Sequence, residues 1–159
     1  MRQVAAGSAF LPDAEATEAF GRDLAVGLEP GDLLLLHGDL GAGKTTLVRG
    51  ILAGLGHSGS VKSPTYTLLE PYELTSCMVL HFDFYRIGDS RELEFIGFDE
   101  LMDADAIKLV EWPERAADRL PPPDLEITLR VEDEGRRICL LYTSPSPRDQ
   151  RGSRMPSSA

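Results

Sequence analysis

Gly38-Asp39-Leu40-Gly41-Ala42-Gly43-Lys44-Thr45 matches the phosphate-binding loop pattern G-x-x-x-x-G-K-[ST] at every fixed position. Glycines in such a loop let backbone N–H groups turn inward around a β-phosphate. Lys44 is placed to put an ammonium on the β/γ oxygens, and Thr45 to offer its hydroxyl to Mg²⁺. The flanks agree with this reading. Leu33-Leu34-Leu35-Leu36-His37 is a short apolar run without alternation, as expected of a strand buried on both faces. After the loop and Thr46, the residues Leu47, Val48, Ile51, Leu52 and Leu55 repeat at helical spacing. A helix N-terminus therefore points at the loop. A chance Gly-rich turn would not come with strand, loop and helix in that order. The stretch predicts a nucleoside triphosphate site.

At 159 residues the chain has the size of one domain with a proper hydrophobic core. Its formal charge of −10 argues against a broad basic surface made for nucleic acid. Nothing before Phe10 has the apolar stretch of a signal peptide, and Leu33–Leu36 is far too short to span a bilayer. Cys77 and Cys139 lie apart in apolar runs with no CxxC spacing, which predicts buried free thiols. A cytoplasmic protein without membrane contact is expected.

Outward from the loop, Phe20, Leu24 and Leu28 predict an amphipathic helix over 14–28 that stops at Pro30-Gly31. Residues 58–73 lack helical period and read as an ordered loop or short strand pair over the nucleotide. Two further buried strands are expected at 77–83 and 107–111. A short helix interrupted at Gly97 separates them, and Pro113 opens another helix that ends at Pro121-Pro122-Pro123. Alternation over Leu125–Val131, a turn at 132–135 and the run 136–141 predict a terminal hairpin. From Tyr142 onward the chain has five Ser, three Pro and three Arg, with no Leu, Ile, Val or Phe. Its charge is +2, leaving −12 on residues 1–141. The expectation is one domain over 1–141 and a disordered or non-native tail over 142–159.

A phosphate loop needs a second acidic residue at the end of another strand. Asp83 and Glu111 each end an apolar strand, and parallel strands would bring both to the loop's edge of the sheet. One carboxylate would hold Mg²⁺ while the other orients or deprotonates water. Lys44, Asp83 and Glu111 are thus the expected catalytic groups. Thr65, in Ser63-Pro64-Thr65-Tyr66, either senses the γ-phosphate or caps a proline turn. His81 reads as a packed core residue, Arg86 as a surface partner of Glu92 or Glu94, and Trp112 as packing that fixes the direction of Glu111.

Four blocks now stand in order: the loop with Thr45-Thr46, Ser63-Pro64-Thr65-Tyr66-Thr67-Leu68, His81-Phe82-Asp83-Phe84-Tyr85-Arg86 and Leu109-Val110-Glu111-Trp112-Pro113-Glu114. Together they resemble the TsaE (YjeE) family over about residues 10–138. The resemblance implies an ATPase of bacterial threonylcarbamoyladenosine synthesis, a modification of the tRNA adenosine next to the anticodon. It implies TsaB and TsaD as partners, with TsaD the transferase and tRNA met only through the complex. By motif, Thr45 and Glu111 match the Mg²⁺ site and Asp83 the catalytic or coupling carboxylate. Asp13 and Arg136 match positions beside the nucleotide, with an N-cap and a hairpin surface charge as the plain alternatives. Relatives continue the last strand into a short apolar stretch, where this chain turns Ser/Pro/Arg-rich.

The expected fold is a three-layer α/β domain of P-loop NTPase type: a mostly parallel sheet, helices on both faces and an antiparallel edge hairpin. The expected ligands are ATP and Mg²⁺, held by 38–46, Asp13 and Arg136. Slow hydrolysis without partners is expected, since no committed arginine finger is visible. A small-molecule kinase is the other enzyme class, though no Arg-rich lid is visible. A nucleotide-gated interaction module without turnover is the third reading.

Overall fold

The computed structural model describes residues 5–62, 64 and 66–143. Seven strands form one mixed sheet: β1 (Ala5–Leu11), β2 (Leu33–His37), β3 (Leu69–Glu73), β4 (Met78–Asp83), β5 (Ile107–Glu111), β6 (Leu125–Glu132) and β7 (Gly135–Tyr142). Their spatial order is β1-β7-β6-β2-β5-β4-β3. The four central strands β6, β2, β5 and β4 run parallel, while β7 with β1 closes one side antiparallel and β3 the other. Helices α1 (Ala14–Ala25), α2 (Lys44–Gly54) and α3 (Phe98–Asp103) are joined by two 3₁₀ segments, Ser90–Ile96 and Pro113–Arg119.

The apolar run of β2 divides its side chains by the period-2 rule of a pleated strand. Leu34 and Leu36 join a core with Leu47, Val48 and Ile51 of α2, together with Val79, Ile107 and Leu109. Leu33 and Leu35 join a second core with Leu80, Phe82, Val110, Leu93 and Phe98. Helices on both faces of the α/β sheet follow directly from a central strand that is apolar on both sides.

Three features differ from the sequence reading. Strand β1 was not expected, because Ala5-Ala6-Gly7-Ser8-Ala9 has few of the β-branched or aromatic residues that favour strands. It forms by pairing with β7 over all seven of its residues, a long-range contact. Strand β7 also reaches Tyr142, opposite Ala5 and Leu125, one residue into the stretch read as tail. Residues 144–159 lie outside the described residues. Where 58–73 was left open between loop and strand pair, the structure builds β3, antiparallel to β4. Cys77 and Cys139 are free but only half-buried, because each sits near a strand end or on a partly covered face.

Helices α1 and α2 cross closely through glycine. A Cβ built at Gly50 would lie inside the van der Waals shell of the Glu18 carbonyl oxygen, and one at Gly21 would lie 2.6 Å from the Leu47 oxygen. These glycines let α1 lie directly against α2, the helix that follows the loop. Among the described residues no helix is long and apolar enough to cross a membrane.

Candidate nucleotide site

The loop leaves β2 at Gly38 and enters α2 at Lys44. Gly43, the residue before the helix, has φ 104° in the left-handed region, where a side chain would be strained, and it provides no side-chain cap. The first N–H groups of α2 are therefore left without a capping side chain at the loop, where the helix dipole favours an anion.

A cleft of about 540 Å³ opens over this helix end. It is lined by the loop residues Leu40, Gly41, Gly43, Lys44, Thr45 and Thr46, and by Asp83, Tyr85, Arg86, Glu111, Trp112 and Arg136. Asp83 and Glu111 end neighbouring parallel strands and stand in register with each other. Both belong to the α2 side of the sheet, since Val79, His81 and Asp83 alternate with Leu80 and Phe82, and Ile107, Leu109 and Glu111 with Lys108 and Val110. Each carboxylate is nearly buried, at 5% and 4% exposure. Asp83 Oδ1 accepts the Tyr85 N–H at 2.9 Å, and Glu111 Oε2 meets His81 Nε2 at 2.8 Å.

Lys44 is nearly buried, and its ammonium donates to the Gly38 carbonyl while lying 3.9 Å from the Trp112 ring centroid. Burial pushes its ammonium below the ordinary lysine value of 10.5, against the pull of Glu111, Asp83, Glu114 and Asp39. Trp112 takes left-handed backbone angles, φ 56° and ψ 49°, a strain of about 1–3 kcal/mol of the kind concentrated at functional sites. Its ring packs on Tyr85 at 4.9 Å, and Arg115 lies over Tyr85 at 5.5 Å. Trp112 thus covers Lys44, where the sequence reading had it aiming Glu111. That carboxylate is held instead by His81.

Arg136 reaches back from β7 to the loop. Its Nε donates to the Ala42 carbonyl at 3.0 Å and its Nη2 to the Gly41 carbonyl at 3.0 Å. A side pocket of about 160 Å³ shares Gly43, Thr46 and Arg136 with the cleft and adds Asp13 and Glu134. Asp13 also caps α1, accepting the Ala16 N–H at 2.8 Å. The structure so brings together Leu40, Lys44, Thr45, Thr46, Asp83, Glu111, Arg136 and Asp13; Asp39 and Leu40 are exposed, and Ala42 is buried.

The expectation for Arg86 changes. Arg86 is no partner of Glu92 or Glu94: it stacks on Tyr66 at 4.5 Å and donates to the Tyr66 hydroxyl at 3.2 Å. Glu92 instead accepts the Asp89 N–H in a capping box, and Glu94 pairs with Arg119. His81 is packed as expected, but its ring also contacts Glu111. The sequence carries half of this signal: His81 lies two residues before Asp83, so a strand puts both on one face, while the contact with Glu111 needs the β5 neighbour. Thr65 lies outside the described residues.

Residues 11–138 match the family model "Threonylcarbamoyl adenosine biosynthesis protein TsaE". The tRNA threonylcarbamoyladenosine biosynthesis protein TsaE of Haemophilus influenzae is 44% identical over 137 residues, covering 83% of this chain and 87% of its own length. The protein of the same name from Bacillus subtilis is 40% identical over 125 residues, covering 78% of each. The crystal structure of YdiB from Bacillus subtilis superposes with a TM-score of 0.74 at 30% identity, over 95% of this chain and 92% of that one.

Proposed function

This chain belongs to the TsaE family of threonylcarbamoyl adenosine biosynthesis proteins, and on that premise we propose that it is an ATPase that binds and hydrolyses ATP–Mg²⁺ to support threonylcarbamoyl modification of the tRNA adenosine next to the anticodon, in the cytoplasm with TsaB and TsaD as partners. The observation that carries the reading is the buried pair Asp83 and Glu111, in register at the edge of the sheet, with Lys44 of a phosphate loop in the same cleft.

The loop N–H groups and the α2 terminus would hold the phosphates, and Lys44 would neutralise charge on the β/γ oxygens. Thr45 and Glu111 supply hard oxygen donors that suit Mg²⁺, which is commonly held by one or two protein oxygens plus substrate phosphates. When bound, Mg²⁺ would supply charge neutralisation on the phosphates. Asp83, with one oxygen tied to the Tyr85 N–H, keeps a fixed direction from which to orient or deprotonate the attacking water. The guanidinium of Arg136 is engaged by loop carbonyls and that of Arg86 by Tyr66. In this reading neither serves as a transition-state arginine, and turnover is slow until partners complete the site.

Phosphate release measured with ATP–Mg²⁺, with and without TsaB and TsaD, tests the reading. Release that rises with the partners is the expected result. A phosphorylated small molecule, or binding without release even with both partners, overturns it.

A further inference from the structure

His81 lies inside β4 with its side chain wholly buried, a position where an aliphatic residue would pack without the penalty of a desolvated ring nitrogen. Its Nε2 stands 2.8 Å from Glu111 Oε2. Its Nδ1 is buried and has no partner among the described residues. Glu111 is thus the sole hydrogen-bonding partner of this side chain among the described residues. The sheet explains how the two meet. His81 is in register with Leu109 and Asp83 with Glu111, so the ring reaches diagonally across the parallel ladder on the face that carries both carboxylates. An ionised carboxylate can only accept, so Nε2 carries the hydrogen.

We propose that His81 is a positioning residue that ties down one Glu111 oxygen from beneath, so that the carboxylate presents a single fixed oxygen to the cation accompanying the nucleotide. A glutamate has three side-chain torsions, and fixing it from a buried strand removes the freedom that would weaken a hard-cation ligand. Histidines and carboxylates that act through a ligand in this way commonly change metal affinity about 10–100-fold when removed. The inference rests on the ATP–Mg²⁺ reading of the cleft, and it concerns a residue that does not itself line it.

The test compares the wild-type chain with His81→Leu, which keeps apolar packing and loses the donor, and His81→Gln, whose amide can still donate. ADP affinity is measured by calorimetry in EDTA and again with Mg²⁺, and the tightening produced by the metal is the readout. The expected result is that His81→Leu loses about 10–100-fold of that tightening while its affinity in EDTA stays near wild type, and that His81→Gln recovers most of it. A purely structural role would weaken both affinities together or lower thermal stability without touching their ratio. Equal metal-assisted tightening in wild type and His81→Leu overturns the inference while leaving the ATP–Mg²⁺ reading intact. No tightening in the wild type overturns both. Should the variants fail to fold, the wild-type chain labelled with ¹⁵N-histidine decides: the His81 Nε2–H resonance should move when Mg²⁺ is added to the ADP complex. An unmoved resonance overturns the proposal.

Discussion

The Lys44 ammonium lies 3.9 Å from the centroid of Trp112, the single tryptophan of the chain. Cation–π attraction at a desolvated site is worth about 1–2 kcal/mol, enough to hold a lysine in one place without neutralising it. The strained backbone of Trp112 and the packing of Tyr85 keep the ring there. Tryptophan fluorescence should therefore respond to changes around Lys44.

Lys44→Ala should lower affinity for ADP–Mg²⁺ by about 2–5 kcal/mol, the scale for losing a buried charge-assisted contact. The fold should survive, because among the described residues the side-chain hydrogen bond lost is the single one to the Gly38 carbonyl. Calorimetric titration checks the first statement and circular dichroism the second. Unchanged affinity would refute the phosphate-loop assignment.

Binding of ADP should weaken as pH rises into the alkaline range, beginning below 10.5. Burial already disfavours the charged form of Lys44, so it loses its proton earlier than an exposed lysine. The effect on folding has the opposite sign. Between the lowered native value and 10.5 the unfolded chain holds that proton more firmly, so this group's contribution to stability improves with rising pH. Lys44→Arg, which stays charged throughout, should flatten the binding profile. A profile that is the same in both proteins would show that another group governs it.

Asp83 and Glu111 should separate by function although they sit in register. Glu111→Ala should reduce the Mg²⁺ dependence of nucleotide binding, because a hard cation loses one of few protein oxygens. Asp83→Ala should bind ATP–Mg²⁺ nearly normally, while its turnover with partners falls by ~10²-fold or more. Binding across a Mg²⁺ series, run beside phosphate release, settles the division. The reverse pattern would exchange the two roles.

Gly50→Ala should destabilise the chain by about 1–3 kcal/mol, the usual penalty of overpacking. In an isolated helix the same change would stabilise, since alanine is the better helix former. Here the added methyl would collide with the backbone of Glu18 and push α1 off α2. Urea unfolding measures the sign. A gain in stability would mean that the helices separate easily.

What the sequence by itself determined is local and periodic. The glycine spacing specified the loop that joins β2 to α2, the unbroken Leu33–Leu36 run specified a central strand with a core on each face, and Asp83 and Glu111 were visible as carboxylates ending buried strands. Each signal lies within about ten residues, where torsional preference and side-chain period act directly. What only the tertiary structure decided depends on residues far apart in the chain. Strand β1 exists because β7 pairs with it, not because its small residues favour extension. Arg136 braces the Ala42 carbonyl across 94 residues, and Arg86 leaves its nearby acids for the ring of Tyr66. His81 meets Glu111 only because two strands thirty residues apart are parallel neighbours in one particular register. A hydrogen bond needs its partners within about 3 Å, and strand order and register, which set that distance, are properties of the packed sheet and of no single segment.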